Sequence, residues 1–202
     1  MLKWYKNILF PLLMNKNIGK ESILQLRKKV LLKAHGNILE IGIGSGINLS
    51  LYPDNVLELT AIDSNVRAVP ITRIRVKLIS ESACKMSFGD NSFDTVVSTF
   101  SLCSINNLEA ALSEIFRVLK PGGQFLFLEH GKSKGKAVAF IQNVCNPLFN
   151  SFAFGCNINR SYMNQIKKSG FIVKEFTYAK APIYPKILVG YIYYGVAIKP
   201  KE

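Results

Sequence analysis

Residues 39–49 read LEIGIGSGINL, an apolar run that stops at Glu40-Ile41 and opens into Gly42, Gly44 and Gly46. Glycine reaches positive φ without steric cost and adds no side chain, so a run of this kind ends a buried strand in a turn whose backbone a ligand can approach closely. The spacing excludes two familiar uses. A dinucleotide fingerprint needs another glycine at position 47, where Ile47 stands, and no Gly-Lys-Ser/Thr follows to cradle a phosphate. Glu40 would repel a phosphate but suits a cationic group. Asp63 lies 21 residues after Gly42, at the end of ELTAIDSN. That is where a ribose-binding carboxylate belongs in such folds, its two oxygens accepting from both hydroxyls, although an acid there also suits a helix N-cap.

The rest of the chain extends this pattern. Short apolar runs (NILEIG, VLELTAI, VKLIS, FDTVVSTF and QFLFLE) read as strands, and LEAALSEIFRVLK reads as a helix stopped by Pro121-Gly122-Gly123. Ile23, Leu24, Leu26, Val30 and Leu31 recur at near-helical spacing ahead of the first strand. After Lys136 a weakly patterned stretch runs to Arg160, followed by a helix to about Lys168, the strand FIVKEFTY and a β-rich end at ILVGYIYYGVAI. Alternation of this kind builds an α/β fold, a parallel sheet with helices on both faces. One domain over 1–202 is expected, with a basic helical segment at 1–35 leading into it.

Charge is uneven along the chain. The net charge is +13, with eight Lys or Arg against one acid in 1–35, seven against ten in 36–130, and eleven against two in 131–202. Two basic flanks around an acidic centre suit an anionic surface at the flanks and a cationic ligand in the centre. Cys84, Cys103, Cys145 and Cys156 include no CxxC pair, and no His stands at ligand spacing, so no metal site is expected and reduced cytoplasmic thiols fit best. The N-terminal run MLKWYKNILFPLLMNK is broken by Pro11 and lacks a small-residue cleavage site, so it does not read as a signal peptide. Residues 137–159 carry no charge, yet Gln142, Asn143, Asn146, Pro147, Asn150 and Asn157 make them too polar to span a bilayer of about 30 Å.

The motifs EIGIGSG, AID, SFGDNSFDTVVSTFSLCSI and EIFRVLKPGGQFLFLEHG, continuous over 37–131, resemble the class I S-adenosylmethionine-dependent methyltransferases of the type 11 group. That resemblance implies S-adenosyl-L-methionine as cofactor and a Rossmann-like, seven-stranded, mostly parallel sheet with helices on both faces and an antiparallel last strand, in which 36–130 is the cofactor-binding half and 131–202 the acceptor cap with the C-terminal strands. Gly42, Gly44 and Gly46 would line the methionine part of the cofactor, Glu40 would sit near its ammonium through the loop and Asp63 would hold the ribose, with Asn48, Ser64 and Ala83 beside them. The family often has an Asp after the third strand for the adenine amino group; here Ser82 stands there, with Glu81 adjacent. Ser98 and Thr99 end the fourth strand, where side chains face the ligand crevice of an open sheet. Cys103 reads as a small buried filler, and Asp94 as structural.

On the acceptor side, Glu129 and His130 end the fifth strand and are the catalytic candidates, His130 as a base toward a thiol, hydroxyl or amine. A strand-end histidine is equally suited to hydrogen-bonding a loop. LEHG, FGCNINRSYMNQIKKSGF and YGVAIK are similar to small membrane-associated thiol S-methyltransferases, and the layout also resembles bacterial phospholipid N-methyltransferases. By that likeness Asn157 and Arg160 are substrate-binding. The expected function is methyl transfer to a small apolar thiol or lipid-linked acceptor near a membrane surface. The alternatives are a phosphatidylethanolamine N-methyltransferase or a catalytically silent membrane adaptor. The expected partners are a small-molecule or lipid acceptor and an anionic membrane surface, with the protein cytoplasmic or peripheral on that membrane. Nucleic acid is not expected, because the sequence after the fourth strand is STFSLC rather than the Asn/Asp-Pro-Pro-aromatic signature of amino-group methylation.

Overall fold

The computed structural model describes residues 17–65, 71–153 and 155–201. The N-terminal stretch read against a signal peptide therefore lies outside the described residues. Seven strands form one sheet in the order β3-β2-β1-β4-β5-β7-β6: β1 Ile38–Ile41, β2 Glu58–Ile62, β3 Arg75–Ile79, β4 Phe93–Thr99, β5 Leu119–His130, β6 Ile172–Lys180 and β7 Tyr191–Ile198. β1 to β5 pair parallel, and β7 inserts antiparallel between β5 and β6, as the sequence led us to expect. β1 and β4 lie side by side while the chain leaves them toward opposite edges, so their carboxyl ends bound the crevice of a doubly wound sheet.

Alternation along the strands builds the two apolar layers. Leu126 and Leu128 of β5 join one layer with Ile23, Val30 and Leu31 of helix α1 (Glu21–Leu31). Phe125 and Phe127 join the other, with Leu112 and Ile115 of α2 (Leu108–Val118) and Ile166 of α4 (Tyr162–Lys168). A strand covered on both faces has no solvated side, which is why QFLFLE is continuously apolar. Asn107 caps α2 by accepting from the Ala110 N–H at 3.0 Å. Asp94 has its expected structural role, accepting from Asn37 N and pairing with Lys120 at 2.8 Å.

Three details differ from the sequence reading. β5 begins at Leu119, so Pro121-Gly122-Gly123 lies inside the strand rather than after a longer helix. Lys186–Val189 is a short helix, α5, ahead of β7. The weakly patterned stretch after Lys136 is a 17-residue helix, α3 (Lys136–Phe152), with Pro147 inside it. Its pattern escaped the usual rule because apolar residues occupy both faces, with Cys145 and Phe149 packed inward beside the buried Ala139. Gln142 is fully buried, whereas Phe140, Val144, Leu148 and Phe152 are 61–68% exposed at successive four-residue steps. The inner face is held by polar bonds: the Gln142 amide donates to the carbonyls of Gly131, Ile158 and Leu188 and accepts from Ser133 N. No helix among the described residues is long and apolar enough to cross a membrane.

Candidate functional site

The glycine loop forms one wall of a cleft of about 610 Å³ at the carboxyl ends of the parallel strands. Gly42 has φ +71°, and a Cβ there would lie 2.2 Å from Ser101 Oγ, so glycine is needed both for the turn and for the approach of the β4 loop. Ser101 Oγ donates to the Gly42 carbonyl at 3.1 Å, tying the two loops together. Asp63 braces the same loop: one carboxylate oxygen accepts from Gly44 N at 3.0 Å and the other from Asn65 N at 2.8 Å.

Of the residues expected to hold the cofactor, Gly42, Gly44, Asn48, Asp63, Ser64, Ser82, Ala83 and Thr99 line the cleft. Glu40 and Gly46 do not. Gly46 is buried within the turn, its N–H donating to Ile43 at 2.9 Å. Glu40 is 2% exposed and fully engaged from within, accepting from Asn48 Nδ2 at 2.9 Å and Tyr52 Oη at 2.8 Å. Burial pushes its carboxyl above the usual range, against those hydrogen bonds and the nearby Arg27. It therefore supports the loop from below.

The cation in that network is Arg27, which the sequence reading passed over. Its Nη1 donates to Asn48 Oδ1 at 2.7 Å and Thr99 Oγ1 at 2.6 Å, and Asn48 Nδ2 also reaches Thr99. Burial pulls its pKa down to about 10 against the pull of Glu40 and Glu129, and its Nε is buried with no partner among the described residues. A signal was present: position 27 follows Ile23 by four and precedes Val30 and Leu31 by three and four, the buried face of α1. Phe100 was also passed over. It has φ +54°, unusual for a bulky side chain, lines the cleft, carries Arg27 over one side of its ring at 5.0 Å, and stacks on His130 at 6.4 Å.

The acceptor-side candidates lie behind the cleft wall rather than on it. Glu129 is fully buried, and one oxygen accepts from Ser98 Oγ at 2.9 Å, Ser101 N at 3.1 Å and Leu102 N at 3.0 Å. Burial pushes its pKa up against those donors. His130 is 4% exposed, with Nε2 3.1 Å from Cys156 Sγ. Arg160 donates to the carbonyls of Leu102 and Ile105, and Asn157 donates from N and Nδ2 to the Cys103 carbonyl at 2.9 and 3.1 Å. All four hold the turn that follows β4, and Ser104, Ile105 and Asn106 of that turn line the cleft. Cys103 is buried as expected; its contact with Cys156 and its burial push the thiol well above its usual range.

The family described as a methyltransferase domain matches residues 39–127. The human thiol S-methyltransferase TMT1A is 30% identical over 178 residues, covering 81% of this chain and 70% of the human protein. The chain belongs to the class I S-adenosylmethionine-dependent methyltransferases. A phosphatidylethanolamine N-methyltransferase from Cereibacter sphaeroides is 32% identical to this methyltransferase over 114 residues, 52% of the chain and 56% of that protein. The 1,6-didemethyltoxoflavin-N1-methyltransferase of Burkholderia thailandensis, solved with S-adenosylhomocysteine, shares its fold at TM-score 0.63 and 15% identity, covering 91% of this chain and 80% of that one. The cofactor is S-adenosylmethionine, and the methyltransferase cleft fits it. A Cβ at Gly44 would meet only the Gly42 carbonyl, at 4.0 Å, and the acids Asp63 and Glu81 with the Arg27 guanidinium put charges of both signs on the cleft lining, as a ligand carrying ammonium, sulfonium and carboxylate groups requires.

Proposed function

We propose that this methyltransferase acts on a small apolar thiol or lipid-linked acceptor at a membrane surface. The cofactor supplies an electrophilic methyl on a sulfonium; a thiol acceptor gives up its proton and becomes a thioether, leaving S-adenosylhomocysteine. The protein's task is mainly alignment. Asp63 would accept from the ribose hydroxyls while bracing Gly44 and keeping the loop in place. Arg27 would hold the carboxylate of the methionine part, and Ser82 and Ala83 would border the adenine. Glu129, His130, Asn157 and Arg160 act as positioning residues that fix the Phe100–Asn106 turn over the acceptor side.

The observation that carries the membrane part of this reading is α3. Its inner face is locked in place by Gln142, and its outward stripe of Phe140, Val144, Leu148 and Phe152 is apolar and exposed. Tyr184 and Ile187, from the segment on which α3 packs, are more than half exposed too. Lys136 begins the helix, and Lys20 and Lys186 flank the Tyr184 ring at 4.5 and 5.2 Å. Apolar side chains entering the interface beside lysines are how a protein lies on an anionic bilayer, each basic residue adding about 1 kcal/mol near the surface. The thiol acceptor is supported by the TMT1A likeness. The Cereibacter relative supports a second reading, in which phosphatidylethanolamine is the acceptor.

A labelled-methyl screen across small thiols, phosphatidylethanolamine and quinone precursors, run with and without vesicles containing anionic lipid, tests both parts. Transfer to an apolar thiol, with salt-sensitive vesicle binding, is the expected result. Transfer to the amine alone favours the second reading. Cofactor binding without transfer to any class indicates the silent adaptor.

A further inference from the structure

Behind the cleft wall, three groups that no spacing rule would join come together. Cys103 lies in the turn after β4, His130 ends β5 and Cys156 follows α3, yet His130 Nε2 and the two Sγ atoms all lie within 4.8 Å of one another. The closest pair, His130 Nε2 and Cys156 Sγ, is 3.1 Å apart. All three side chains are buried, at 3%, 4% and 6% exposure, and both cysteines are free thiols.

We propose that Cys103, His130 and Cys156 form a binding site for one thiophilic metal ion of the Zn²⁺ type. Zn²⁺ takes sulfur at about 2.3 Å and imidazole nitrogen at about 2.0–2.1 Å, which sets ligand atoms in a tetrahedral site roughly 3.5–3.8 Å apart. The cluster brackets that spacing, so shifts of under about 1 Å per ligand atom would close it. Two thiolates and a neutral imidazole form a soft donor set, which selects Zn²⁺ over Mg²⁺ or Ca²⁺. They also balance a dication, so the occupied site would carry no net buried charge. Three protein ligands leave a fourth position open, the pattern of zinc sites that bind an exogenous group.

The surrounding contacts act as the outer support such a site needs. Asn157 holds the Cys103 backbone carbonyl, Arg160 holds the carbonyl just before Cys103, and Tyr162 Oη donates to the His130 carbonyl at 3.1 Å. Phe100 stacks on the imidazole, fixing its plane. His130 Nδ1 is buried with no partner among the described residues, so none of them contests a tautomer with the proton on Nδ1 and the Nε2 lone pair turned to the metal. The site stands independently of the acceptor proposed above, since neither its ligands nor its geometry depends on which atom is methylated.

The full chain, purified under reductant and stripped with chelator, is titrated with Zn²⁺ by calorimetry and with Co²⁺ by absorption. One ion per chain is expected, with a thiolate-to-cobalt charge-transfer band and the visible bands of a tetrahedral site. C103S and C156S are expected to lose stoichiometric Zn²⁺ binding and the charge-transfer band, while C145S keeps both; circular dichroism checks that each variant is folded. The wild-type spectrum keeps the test decisive if a variant fails to fold. Absence of stoichiometric Zn²⁺ in the wild type, a cobalt spectrum without thiolate charge transfer, or equal binding by folded C103S and C156S would each overturn the site. Metal binding is the readout, so these results do not depend on methyl transfer.

Discussion

The two halves of the crevice present opposite faces to solvent. On the β1–β3 side, backbone, small side chains and the charges of Asp63, Glu81 and Arg27 line the cleft, and Glu40 supports it from beneath. On the β5 side the chemically distinctive groups, Glu129, His130, Cys103 and Cys156, are the buried ones, while α3 turns phenylalanine, valine and leucine outward. A cofactor common to a whole family can be held by a local loop and one acid. An acceptor side has to be assembled from segments far apart in the chain, and its polarity then answers to whatever covers it rather than to water.

The largest expected effect tests the first half. Arg27→Met leaves Glu40 buried without its cation and Asn48 Oδ1 without its donor. It should destabilise the protein by about 3 kcal/mol in urea unfolding, and Arg27→Lys should recover little because the guanidinium over the Phe100 ring is lost.

The second half yields a contrast on one helix. Gln142→Ala strands several buried backbone partners and should cost about 2–3 kcal/mol. Leu148→Asp, on the exposed stripe, should change stability by only about 0.5 kcal/mol while reducing binding to anionic vesicles in a flotation assay. Equal stability losses for the two would show that the stripe is packed rather than free.

Gly42→Ala puts a Cβ against Ser101 at positive φ and should weaken S-adenosylmethionine by about 10- to 100-fold in calorimetry. His130→Ala should lower kcat more than it changes cofactor affinity; an unchanged kcat would separate His130 from turnover altogether.

The smallest effect is acid sensitivity at the base of β4. Burial works against the Asp94 carboxylate, but the Lys120 ammonium and the Asn37 N–H outweigh it and hold its pKa below the usual value. A depressed native pKa gives stability that is present above the unfolded pKa and lost as pH falls through the native one. Asp94→Asn should therefore flatten the acid end of the stability profile, by under about 1 kcal/mol for so exposed a pair.

Much of this was legible in the chain. The strand pattern, the glycine loop and Asp63 are local features, because strand burial and a turn with positive φ each leave their mark within a few residues; the antiparallel last strand came with the family resemblance. Eight of the ten residues expected at the cofactor do line the cleft. The motif put Glu40 beside the loop but not what satisfies its side chain, which comes from Tyr52 and Arg27 elsewhere in the chain. The helix at α3 was not read because apolar residues fall on both of its faces, and hydrogen bonds from Gln142 decide which face turns inward. The sequence alone determined the family, the sheet and the cofactor class, since these rest on short-range patterns. Only the tertiary structure could bring Cys103, His130 and Cys156 together across 53 positions, since contact between distant residues is decided by how layers pack rather than by spacing along the chain.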